Sequence, residues 1–167
     1  MAEGEFALIH EYGEAGLIRP SKGWATFGDH DLYSLLADAA AAQHDESTLQ
    51  RYVPLAEESA RRYDHRLYQA IAHRSRGVAH RLAGEYVEAE SSLNQALGIF
   101  NDMNTTYQIG RTLFELGELA AAQTDIVKAR EYFTRALMAF EIMGALPDVA
   151  QTRKKMAQVS DSPHIRS

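Results

Sequence analysis

Histidine is the residue type in this chain best suited to chemistry, and three of its seven copies share one stretch. His73 and His80 are seven residues apart, which on a helix places them on one face two turns from each other. His65 lies eight residues before His73. A helical zinc site typically offers histidines four residues apart, backed by a glutamate, so that both rings reach one ion. Around His65 only Asp64 supplies a carboxylate, and the chain has no cysteine. His73 and His80 therefore read as packing residues with polar tips. Ser75, Ser91 and Ser92 fall in helical stretches, without the strand-turn-helix elbow that exposes a nucleophile. Gly77, Gly84, Gly98, Gly110 and Gly117 are dispersed, not gathered into a loop around phosphate. Glu85, Glu88 and Glu90 suit the charged start of a helix better than an acid-base site. No catalytic residue, metal or cofactor is expected, and the chain reads as non-enzymatic.

The glycines are spaced for another purpose. Sliding the sequence by 40 residues superimposes Gly77 on Gly117, Ala89 on Ala129, Leu93 on Phe133, Ala96 on Ala136, Leu97 on Leu137 and Phe100 on Phe140. Small residues recur where two helices must approach, and large apolar ones recur where they fill the space between. A period of this length marks stacked units that cannot bury their own apolar faces alone. A weaker copy lies upstream, in Tyr33, Leu36, Ala37, Ala40, Leu49, Val53 and Ala56. Ala150, Met156 and Ala157 match the opening helix of one more unit downstream.

On these residues the chain resembles the tetratricopeptide repeat (TPR) family. Gly77, Ala89, Leu93 and Ala96 fall on its small and large sites. So do Leu113, Leu116, Gly117, Ala129, Phe133 and Ala136 in the next unit. His73, Arg76 and His80 stand where the family has large apolar or aromatic residues, and its late proline is missing. The 40-residue period exceeds the family's usual ~34. The long form is similar to repeats beside regulatory domains in bacterial signalling proteins. Residues such as Asn104 to Ile109 are read as lengthening the first helix of a unit. The resemblance implies an all-α, right-handed superhelical solenoid of antiparallel helix pairs that binds other proteins.

Composition agrees with a helical domain. The chain has 167 residues, 46% of them apolar, and only four prolines. A cysteine-free chain suits a reducing compartment, and the acidic start, Met1 to Gly4, lacks the features of a signal peptide. A cytoplasmic protein is expected. No apolar run approaches a membrane span, so no membrane partner is expected. A net charge of −6 argues against nucleic acid, whose phosphates call for a basic footprint.

Taken in order, residues 1–28 read as a cap: a short helix over Glu5 to Glu14, then a loop from Arg19 to Gly28. Trp24 and Phe27 in that loop are suited to plugging one end of the array. The repeat domain covers 29–159. Its first pair is Asp29 or His30 to Gln43, then Ser47 to Arg62, with Ser47 as cap and Pro54 bending or breaking the second helix. Asp64 caps the next helix, which runs to Ala83, and Tyr86 to Asn101 returns. Asn104 or Thr105 opens the third pair, and Ile126 to Met143 returns to Gly144. A last helix, with Pro147 in its first turn, ends near Val159. Residues 160–167 read as a disordered tail. Gly98 and Gly110 are read as tolerated through close helix packing.

The resemblance implies that the first helix of each pair lines a concave side, and the family's groove positions fall in unit one on Asp31, Ser34, Asp38, Ala41 and Ala42. Ile71, Arg74, Val78, Arg81 and Leu82 follow in unit two, and Arg111, Phe114, Glu118, Ala121 and Ala122 in unit three. The last helix adds Gln151, Lys154 and Gln158. The candidate peptide-binding groove is Ile71, Arg74, Val78, Arg81, Leu82, Arg111, Phe114 and Lys154. Its basic and aliphatic mixture suits an amphipathic or acidic segment of a partner protein. Pairing of the arginines with Asp31, Asp38 and Glu118 is the competing arrangement. The alternative function is structural, with array ends stacking copies into a weak homo-oligomer. A metal-dependent or other enzyme is the remaining, disfavoured class.

Overall fold

The chain turns every twenty residues. His44, Asp64, Gly84, Asn104, Thr124 and Gly144 all have positive φ, between 48° and 78°. After each, the next backbone N–H reaches back to the carbonyl five residues earlier: Asp45 to Ala40, His65 to Ala60, Glu85 to His80, Thr105 to Phe100, Asp125 to Ala120 and Ala145 to Phe140, at 2.9–3.1 Å. This left-handed turn satisfies the last carbonyls of a helix and sends the chain back.

The computed structural model describes residues 29–160. Between the turns lie α1 (Asp29–Gln43), α2 (Glu46–Arg62), α3 (Arg66–Leu82), α4 (Tyr86–Asp102), α5 (Thr106–Ala122), α6 (Ile126–Met143) and α7 (Leu146–Ser160). The described residues are all-helical, without a strand. Each helix packs on the next, and α1 also touches α3, as α3 touches α5. The odd helices thus form one layer and the even helices another. The cap at 1–28, with Trp24 and Phe27, and the tail beyond Ser160 lie outside the described residues.

The forty-residue register is a packing register. A Cβ on Gly77 would sit 2.6 Å from Leu93 Cγ, and one on Gly117 would sit 2.6 Å from Phe133 Cε1. The first unit holds Ala37 and Val53 at the same two places, both in one buried cluster. A larger small residue is matched there by a smaller large one, which keeps the layer spacing. Ala56, Ala96 and Ala136 are fully buried at equivalent positions.

Several local expectations are corrected. The cap of α2 is Asp45, not Ser47: its carboxylate accepts from the Thr48 N–H at 3.1 Å and from the Thr48 and Ser47 hydroxyls at 2.6 and 2.8 Å. Asp64 does not cap α3, because it occupies the left-handed turn position and His65 is the N-cap residue. Pro54 does not break α2. The carbonyl it leaves unpaired belongs to Gln50, which is exposed and can bind water. Close packing explains Gly110, whose Cβ would meet Ala139 and Phe140 at 3.0 Å, but not Gly98, which has open space around it. Helices α3, α4 and α5 are each 17 residues long, so the extension is not confined to the first helix of a pair.

Candidate binding face

The inner layer is made of charges that answer one another across units. Asp38 on α1 accepts from Arg74 Nη2 on α3 at 2.9 Å and from Arg111 Nη1 on α5 at 2.6 Å. The Arg74 side chain is 2% exposed. It also donates to Gln108 Oε1 at 2.7 Å, and its guanidinium lies 5.2 Å from the Phe100 ring centroid. Further along, Arg81 pairs with Glu115 at 3.2 Å and meets His44 Nε2 at 3.2 Å. Lys155 pairs with Glu118 at 2.9 Å. Burial would raise the Asp38 pKa, but the Arg111 and Arg74 guanidiniums outweigh it and hold it down at about 2. Desolvation lowers the pKa of Arg74. Arg111 is also desolvated, yet Asp38 raises its pKa. Both guanidiniums stay charged at neutral pH.

The eight groove residues named from the sequence do not form one open surface. Ile71, Arg74, Val78 and Phe114 are buried, Arg81, Leu82 and Arg111 are half-buried, and Lys154 is exposed. The first helices do carry the named residues. However, the array curves tightly enough for α1 to reach α5 past α3, and the arginines turn inward to acids. On α7 the register is also off by one position. Lys155 reaches α5, and Lys154 points about 100° away from it.

A pocket of about 280 Å³ lies between the end of α1 and helices α5, α6 and α7. Ala42 and His44 close it from the end of α1 and its turn. Tyr107, Arg111, Phe114 and Glu115 line it from α5, Phe140 from α6, and Asp148, Gln151 and Thr152 from α7. The Tyr107 hydroxyl donates to Asp148 Oδ2 at 3.4 Å, and its ring packs on Phe140 with centroids 5.9 Å apart. Burial, and to a lesser degree Asp148, raises the Tyr107 pKa against the opposing pull of Arg111. Of the eight, only Arg111 and Phe114 line this pocket. His44, Tyr107, Glu115 and Asp148 were missed from sequence. A stripe at three- and four-residue spacing, Tyr107, Arg111, Phe114/Glu115 and Glu118, was the signal that could have found two of them.

The histidines take separate partners. His73 Nδ1 lies 3.0 Å from Arg76 Nη2, and burial, then Arg76, lowers its pKa. His80 Nδ1 meets Glu85 Oε2 at 2.5 Å, and His65 stacks on Tyr68 at 4.2 Å. Arg76, in place of the family's apolar residue, bridges Glu57 on α2 to Ser92 and Gln95 on α4. Among the described residues, no group of three or more histidines and acids could hold a metal ion. No described helix is long and apolar enough to cross a membrane.

These features define an all-α protein with a helical-repeat-like fold. The crystal structure of BtubC (BKLC) from P. vanneervenii is similar to it, with a TM-score of 0.60 over 95% of this chain and 72% of that one. The two share 18% sequence identity, so the likeness is one of fold. No family model matches the chain, and no curated protein matches it.

Proposed function

We propose that the chain is a non-catalytic, cytoplasmic protein-binding scaffold of the tetratricopeptide-repeat kind. The observation that carries this reading is the pocket between the end of α1 and helices α5 to α7. There, charged and aromatic side chains from α5 and α7 converge beside the end of α1. Of the charges that line it, Arg111 and Glu115 are paired with Asp38 and Arg81, while Asp148 is partnered by the neutral Tyr107 hydroxyl at 3.4 Å. The partner is a peptide or helix of another protein, not nucleic acid or membrane. A displayed library of random peptides, panned against the chain, tests this. Selected peptides should lose binding to Gln151→Arg, which fills the pocket from an exposed position. Peptides that bind this variant unchanged would move the site elsewhere, and failure to select any would remove the reading.

A second reading, self-assembly through an array end, has its own support. Met138, Ile142, Met143 and Leu146, at the end of α6 and the start of α7, are 52–75% exposed. One period earlier the first two positions hold Gly98 and Asp102, and two periods earlier Glu58 and Arg62. At Met138 and Ile142 the exposed apolar character therefore belongs to the last unit alone, where a further layer could cover it.

A further inference from the structure

We infer that this pocket takes a basic side chain, lysine or arginine, of the partner peptide, and not the acidic segment that the arginine content of the inner helices suggests. The inference rests on the scaffold reading. Of the arginines in the inner layer only Arg111 lines the pocket, and its Nη1 is committed to Asp38 at 2.6 Å. Arg74 is spent on Asp38 and Gln108, and Arg81 on Glu115. Two carboxylates, Glu115 and Asp148, face the pocket. Glu115 has a cation already, while the hydrogen-bond partner of the Asp148 carboxylate is the neutral Tyr107 hydroxyl at a long 3.4 Å. The Tyr107 and Phe114 rings line the same space, and such surfaces suit the aliphatic stem and charged head of a basic side chain. At about 280 Å³ the volume fits one side chain and not a folded ligand. It falls just below the roughly 300–1,000 Å³ typical of small-molecule sites. An acidic group entering here would face two carboxylates, Asp148 and Glu115, against the single guanidinium of Arg111, which Asp38 already holds.

The test follows backbone amide NMR shifts of the full chain with five probes. N-acetyl-argininamide and N-acetyl-lysinamide carry the cation, N-acetyl-norleucinamide is neutral, N-acetyl-glutamate amide is acidic, and agmatine is a small amine. The two basic amino-acid probes should give saturable shifts at Tyr107, Glu115, Asp148 and Gln151. These should weaken with salt and fall about tenfold in affinity in Asp148→Asn, whose unchanged melting temperature would certify its fold. Equal shifts from the norleucine or glutamate probe, or no saturable shift from the basic ones, would overturn the inference. Tight binding of agmatine without the amino-acid probes would also overturn it, because the source would then be a small amine. Library peptides that bind the inner face without a basic residue leave the scaffold standing and sink only this inference. If no peptide binds at all, the scaffold itself fails.

Discussion

Arg111 reaches Asp38 across 73 residues of sequence, from the third odd helix to the first, at 2.6 Å. Arg74, on the helix between them, meets the other oxygen of the same carboxylate. One acid thus ties three units together, and its removal leaves two desolvated guanidiniums. We expect Asp38→Asn to cost about 3–5 kcal/mol in urea denaturation at neutral pH.

The same carboxylate sets a pH dependence. Its pKa falls from the ordinary 3.8 to about 2 on folding, so as pH drops the unfolded chain takes up the proton first. The stabilisation is complete above about pH 4 and is lost as pH falls through about 2. Its size is about 2 kcal/mol. The stability gap between parent and Asp38→Asn should therefore narrow by that amount over this window. A gap independent of pH would show that the carboxylate is not held down.

Glycine-to-alanine changes should divide by position. Gly77→Ala and Gly117→Ala push a methyl group into Leu93 and Phe133, and each should cost about 1–3 kcal/mol. Gly98→Ala adds a methyl group to open space in a helix and should stabilise by up to about 1 kcal/mol. Thermal or urea unfolding of the three variants decides it. The same sign at all three would dissolve the packing register.

Thr124 holds φ at 61°, which a β-branched residue adopts at a cost. Gly84 and Gly144 serve the same position without one. Thr124→Gly should stabilise the chain by about 1 kcal/mol in chemical denaturation, less whatever glycine adds to unfolded-chain entropy.

If the apolar stripe of the last unit joins copies, Ile142→Glu should abolish that contact without unfolding the chain, since Ile142 is 75% exposed. Sedimentation should show the parent drifting above 18.6 kDa with concentration and the variant staying at it. Identical behaviour of the two would remove the self-assembly reading.

The fold was legible because packing repeats and chemistry does not. Gly77 with Leu93, and Gly117 with Phe133, announce a close helix contact twice, and the structure puts both in the core. The binding face was less legible. Whether an arginine at a groove position points to solvent or to an acid depends on curvature. Curvature sums small tilts over several units, and no local pattern encodes it. The sequence offers Asp38 as a partner for the arginines, but nothing in its neighbourhood says that it reaches α5. The side chain of Asp64 suits a cap, whereas the twenty-residue step of the turns assigns it a backbone duty.

That step has a further consequence. Helices begin at residues 46, 66, 86, 106, 126 and 146, and the turn that leads from the inner layer to the outer has the same hydrogen bonds as the one leading back. A backbone counted in twenties has no memory of which side is which: displace the chain by forty and the layers keep their places, displace it by twenty and they trade. Side chains break this degeneracy. Twenty residues on from Asp38, Arg74 and Arg111 stand Glu58, Asn94 and Glu131, all exposed to water. The desolvated ionic triad therefore acts as parity for the described helices, telling an otherwise ambidextrous backbone which of them belong inside.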